Sequence, residues 1–258
     1  MIGLGSVLSD SHNDCEFFQQ GSMYFDGSDQ DVNIDNLCDG ILDEAVKTDA
    51  TSFSVSAWVR VGETLSSAAI FKCIAGTDAN NQINLFYHHG GSELRFTTKF
   101  GGSADVCNQG SNSIRNDGLW HHVVGTVDVT DNTTELWVDG SKKESVSGVG
   151  TLNATITKAS IGSSTAASNY WIGDIDEVAM WSRQLTDAEV AILYAGRDTG
   201  IVKAIELQNH GTLAEGLIGF YRFEEKGGSS AINQAQIATS LHGTINNGDT
   251  NTHNTITP

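Results

Sequence analysis

The feature that most constrains this chain is a period-two alternation of apolar and polar residues, repeated in segment after segment. In "FSVSAWVRV" (53–61), Phe53, Val55, Ala57, Val59 and Val61 fall on one side and Ser54, Ser56, Trp58 and Arg60 on the other. Successive side chains of a strand point to opposite faces, so this pattern predicts a strand with one face buried. The same reading fits "QINLFYHH" (82–89), "ELRFTTKF" (93–100), "HHVVGTVDV" (121–129) and "TELWVDG" (134–140). "HHGGSEL" and the turn at Asp131-Asn132 join neighbouring strands as hairpins. Strands at roughly 10–15 residue spacing with polar turns predict an all-β fold of two antiparallel sheets. The only proline is the last residue, so turns must come from Gly, Asn, Asp and Ser.

One segment breaks the alternation. In "WIGDIDEVAMWSRQLTDAEVAILYAG" (171–196), Thr186 followed by Glu189 forms a capping box, in which each side chain satisfies a backbone N–H at a helix start. Leu185 and Val190 sit at the staple positions, and Gly196 is placed to end the helix. The expectation is one short helix near residues 186–196, packed on the sheets.

Charge narrows the functions. The net charge of −18, from 32 acids against 14 bases, repels nucleic acid and anionic membranes. It suits divalent cations or an ion-rich medium, and it also serves solubility. No apolar run is long enough to cross a membrane. The first residues, "MIGLGSVLSDSHNDCEFF", lack the basic and apolar regions of a secretory signal. That fits a mature secreted protein or one exported inside a virus particle. Cys15, Cys38, Cys73 and Cys107 are widely spaced, which argues against zinc and leaves buried thiols and disulfides both open.

Candidate ligand-binding side chains are few. A sugar ring stacks on an aromatic face while its hydroxyls find polar partners. Trp58 faces away from the apolar stripe of its strand beside Arg60, so the two are candidates for a ligand face. The competing expectation is that Trp58 fills space beneath a covering segment. Tyr87, His88 and Arg95 lie on the next strands and complete the candidate set. His121 and His122 are strand neighbours facing opposite ways, so they cannot share one metal and are assigned to packing.

Six segments in order, "SMYFDGSDQDVNI" (22–34), "FSVSAWVRV", "DGLWHHVVGTVD" (117–128), "ELWVDGS" (135–141), "ASIGSS" (159–164) and "GDIDEVAMWSRQLTDAEVAILYAG" (173–196), carry a family likeness. Together they resemble the laminin-G-like, or concanavalin A-like lectin/glucanase, superfamily. The resemblance implies a two-sheet jelly roll over 22–196, with 1–21 as a lead segment. Residues 197–258 would form an extension of one or two strands on the sandwich or on a neighbouring subunit.

It also implies binding of carbohydrate or protein, often with one Ca2+. In that family the acid of an "IDEV" motif can approach the early "FDGSD" turn, which nominates Asp26, the Gly27 carbonyl, Asp29 and Asp176 as calcium ligands. The hydrolases of the fold carry two Glu flanking an Asp along one strand. Here Asp174 and Asp176 alternate with Val178, and Glu177 points away unless a bulge intervenes, so catalysis is not expected.

The opening residues and "GLIGFYRFEEKGGSS…HGTINNGD" are further similar to structural proteins of tailed bacteriophages. The resulting expectation is a non-enzymatic virion adhesion protein that binds other structural proteins or itself, and possible glycans at a cell surface. A secreted carbohydrate-binding module comes second and a glycoside hydrolase third.

Overall fold

A computed structural model describes residues 21–38, 42, 52–62, 66–89, 92–108, 114, 117–148, 154–165, 168–199, 207, 210–225, 228–235 and 241–248. Two antiparallel sheets face each other across one core. Sheet I runs β1 (Met23–Asp26), β12 (Ile172–Trp181), β3 (Phe53–Val61), β8 (His121–Asp128), β9 (Thr133–Val138) and β10 (Ser141–Ser147), and β13 (Leu217–Tyr221) also pairs with β12. Sheet II runs β14 (Ser230–Ala231), β15 (Gly243–Asn246), β2 (Asp31–Asn33), β11 (Lys158–Ile161), β4 (Ala68–Ala75), β5 (Asp78–His88), β6 (Glu93–Phe100) and β7 (Ser103–Asn108). This is the concanavalin A-like jelly-roll sandwich that the alternation and the motif series lead one to expect.

The apolar stripes meet between the sheets. Phe53, Val55, Ala57 and Val59 of β3 join Val123, Leu136, Ile83, Leu85, Leu94 and Phe96 in one buried cluster. Gly125 of β8 lies under Phe96 of the opposite sheet, and a Cβ there would come within 2.2 Å of the ring. The close approach explains a glycine in the middle of an otherwise β-branched strand. Cys38, Cys73 and Cys107 are buried, and no disulfide joins any two of them, while Cys15 lies outside the described residues. Burial pushes the Cys73 thiol up to about 12, so it packs as a small apolar group.

The segment after β12 closes over the outer face of sheet I. Helix α1 (Asp187–Thr199) starts as the capping box requires: Glu189 N–H donates to Thr186 Oγ1 at 3.3 Å, and Thr186 N–H donates to Glu189 Oε2 at 2.9 Å. The helix passes Gly196 and ends at Thr199. A glycine permits a left-handed stop but does not impose one. Leu185, Val190 and Leu193 join Val124, Trp137, Trp181, Leu213, Leu217 and Phe220 in a second buried cluster. Sheet I is therefore apolar on both faces, which alternation along β3 alone does not reveal. The strands β13, β14 and β15 belong to the two sheets themselves.

Candidate functional site

The acids of β12 come first. Asp176 pairs in register with Trp58 and Ala179 with Ser56, so Glu177 and Val178 oppose the single residue Ala57. This is a β-bulge, and Glu177 takes a left-handed φ of 48° within it. The bulge falls where β12 exchanges partners, β1 pairing with 172–175 and β13 with 178–181.

Beyond the exchange, Arg222 follows β13 and its Nε donates to Glu177 Oε1 at 3.2 Å, while its guanidinium pairs with Glu224 at 2.9 Å. Simple alternation fails at this point. Asp176 and Glu177 are both drawn into one buried ionic cluster instead of facing opposite ways. Burial, with the Glu177 charge beside it, raises the Asp176 carboxyl well above the usual carboxylate range. Asp176 is 0% exposed and Glu177 7%, so neither can touch a polysaccharide.

The calcium set is not brought together. In the antiparallel pairing of β1 with β12, Asp26 lies opposite Ile172 and Met23 opposite Ile175. Asp176 is thus beyond the far end of β1, about 13 Å from Asp26 at the rise of an extended strand. One ion with oxygen ligands at about 2.3–2.6 Å cannot span that gap. Asp26, Gly27 and Asp29 do share a turn, but Asp26 Oδ1 accepts the Ser28 N–H at 2.8 Å and Gly27 has φ 78°. Among the described residues, no three His, Cys, Asp or Glu side chains are grouped to hold a metal.

The five ligand candidates are divided among three places. Trp58 and Arg60 lie on the outer face of sheet I. There Trp58 packs against Tyr194 of α1 at 6.0 Å and against His122 at 5.0 Å, so it fills space under the helix. Arg60 is bound to Asp174 at 2.9 Å and lies over the Trp120 ring. Tyr87 shares the parity of Ile83 and Leu85, faces the core and is 7% exposed, which removes it as a ligand platform. Its orientation was available from alternation within "QINLFYHH". His88 and Arg95 alone stand on the outer face of sheet II.

The histidine pair is structural. His121 is held by Asp139 at 2.8 Å and Asp117 at 3.2 Å. Burial lowers its pKa, but the two carboxylates outweigh that and raise it. His122 is fully buried against Ser56, and burial takes it down to about 3.

The outer face of sheet II is different in kind. Along β5 and β6 the inward residues are buried, while the outward ones, Gln82, Asn84, Phe86 and His88 with Glu93, Arg95, Thr97 and Lys99, are all partly exposed. Strand register sets them in rows. Lys158, Ile74, Gln82 and Lys99 form one row, Lys72, Asn84, Thr97 and Val106 the next, and Phe86, Arg95 and Asn108 a third. A final pair, His88 and Glu93, completes the face. Phe86 meets His88 edge to face at 6.2 Å, and Arg95 is engaged by Glu93 on its own strand. Asn84 Oδ1 is buried and, among the described residues, accepts no hydrogen bond. Burial lowers the pKa of Lys72. Planar amides, hydroxyls and one aromatic ring on a partly exposed sheet face are groups able to contact a sugar chain.

Comparisons agree with the fold. A family profile described as "Concanavalin A-like lectin/glucanases superfamily" matches residues 26–191. Among solved structures, a protein of Bacteroides ovatus ATCC 8483 described as a candidate carbohydrate-binding protein is similar at 17% identity and TM-score 0.57, over 89% of this chain and 58% of its own. The CBM40 module of a Ruminococcus gnavus IT-sialidase, solved with α2,3-sialyllactose, is similar at 10% identity and TM-score 0.52, over 67% of this chain and 97% of its own. The NanB sialidase of Streptococcus pneumoniae matches at 19% identity and TM-score 0.52, over 66% of this chain and 27% of its own. The chain thus spans little more than half of the first of these proteins and about a quarter of the last. No curated protein sequence matches it.

Proposed function

As the chain belongs to the concanavalin A-like lectin/glucanase superfamily, we propose that it is a non-enzymatic carbohydrate-binding module that holds a glycan on the outer face of sheet II. One observation carries this reading. Sheet I is covered on its outer face by α1 and the apolar cluster around Trp181, whereas the outward residues of β5 and β6 are partly exposed and are polar around Phe86. The carbohydrate-binding proteins among its structural neighbours support it. Binding would need no bond-making group, only a ring for a sugar to stack on and amides to accept and donate hydrogen bonds.

No described helix is long and apolar enough to cross a membrane, and the setting we propose is extracellular. A virion-surface adhesin would use the same face. The test is a glycan array probed with the full chain and with Phe86→Ala and Asn84→Ala. Binding that each variant weakens about tenfold, or about 1.4 kcal/mol, supports the face. Silence across a broad array, or binding that both variants leave intact, overturns it.

A further inference from the structure

From the distribution of charge we infer that the ligand of this face is an acidic polysaccharide, such as a polyuronate with one carboxylate per sugar. The inference rests on the glycan-binding reading above. In the whole chain 32 acids outnumber 14 bases. On the outer rows of sheet II the described charges no longer favour acids: Lys72, Lys99, Lys158 and Arg95 stand against Glu93 and, on and just after β2, Asp31 and Asp35. All three carboxylates are already engaged, Asp35 by the Ala159 N–H at 2.8 Å and by Asn33 Nδ2 at 3.1 Å. Glu93 binds Arg95, and Asp31 accepts from Ser163 Oγ at 2.6 Å and Asn246 Nδ2 at 2.7 Å. Among the described residues no carboxylate pairs with Lys72, Lys99 or Lys158.

Spacing selects the class of anion. Lys72 lies on β4 in the row of Asn84, and Lys99 lies on β6 one row away. With strands about 4.8 Å apart and about 6.8 Å between rows, they stand about 12 Å apart at the backbone, and Lys72 and Lys158 about 8 Å. Cations so placed do not converge on one small anion, but they can meet successive acidic groups of an extended chain. The density is too low for nucleic acid, which carries a charge every ~1.7 Å of duplex. At physiological ionic strength the screening length is about 8 Å, so this face acts with little opposition from the acidic remainder of the surface. Lys72 is central: half-buried between Ser160 and Asn84, its ammonium gains most from an incoming carboxylate.

The experiment is titration of the full chain at 0.15 M salt with polygalacturonate, a neutral galactan of similar length and single-stranded DNA. The variants are Lys72→Gln and, as an exposed control on β10, Lys143→Gln. Polygalacturonate should bind at least tenfold more tightly than galactan. Lys72→Gln should weaken polygalacturonate at least fivefold without changing galactan, and Lys143→Gln should change neither. Equal affinity for both polymers, lost in Asn84→Ala, keeps the binding face and overturns the acidic ligand. Preference for DNA, or an equal loss in both lysine variants, also overturns it. Binding to none of these polymers, together with silence on the array, overturns the binding face itself.

Discussion

Replacing Glu189 by Gln tests what fixes α1 over sheet I. Glu189 is 4% exposed and receives both amino groups of Arg183 at 2.8 Å, as well as the Thr186 N–H at 2.9 Å. Burial pushes its carboxyl up, but Arg183 and Thr186 outweigh that and hold it at about 2 instead of 4.5. At about 1.36 kcal/mol per pH unit the ceiling is ~3.4 kcal/mol. Arg183 is partly solvated, with 26% of its side chain exposed, which brings the expectation to about 2 kcal/mol.

The sign follows from the direction of the shift. A depressed folded pKa contributes stability that is complete above pH 4.5 and lost as the pH falls toward 2. Glu189→Gln should therefore lower the urea-unfolding free energy by about 2 kcal/mol at pH 7, a Tm loss of about 5 °C. At pH 3 the gap should shrink to less than half that value. Tryptophan fluorescence is a suitable signal, since Trp181 is buried in the cluster that the helix covers. A difference under about 0.5 kcal/mol at pH 7, or one as large at pH 3 as at pH 7, would refute the ion pair as the clamp.

Other perturbations separate structural from functional acids. Asp176→Asn removes a carboxyl whose folded pKa is raised, a group whose stabilisation is present at low pH and lost as pH rises. The variant should melt higher than wild type at pH 8, with the gain fading toward pH 4; a lower Tm at pH 8 contradicts the assignment. Asp176→Asn should also leave any response of the Tm to calcium or EDTA unchanged, since Asp176 is about 13 Å from Asp26; a calcium shift abolished by this variant would restore it as a ligand.

Asp139→Asn should cost more at pH 6 than at pH 9. The raised pKa of His121 makes its stabilisation complete below its ordinary value of 6.5 and lost above the folded one, and equal costs at both pH values would discount the pair. Gly125→Ala should destabilise by about 1–3 kcal/mol through collision with Phe96, and less in a Phe96→Leu background; additive losses would exclude that contact.

The sandwich, its hairpins and the start of α1 were legible in the chain because each depends on local rules. Alternation assigns faces, Gly, Asn and Asp mark turns, and Thr186 with Glu189 writes its own cap. Tyr87 belonged to the legible part too, since its parity with Ile83 and Leu85 turns it inward. Other features arise from contacts between distant segments, which no local pattern encodes. Trp58 reads both as a ligand platform and as filler beneath a covering segment until Tyr194, far along the chain, is laid on it. Asp176 and Glu177 read as opposite faces until β1 and β13 share β12 and force a bulge between their ends. The basic face of sheet II is likewise invisible in a chain of net charge −18, because only strand pairing places Lys72, Lys99 and Lys158 on one surface. The sequence by itself determined which residues alternate and where the helix begins. The tertiary structure decided which face the helix covers, because covering a sheet is a long-range choice between its two sides.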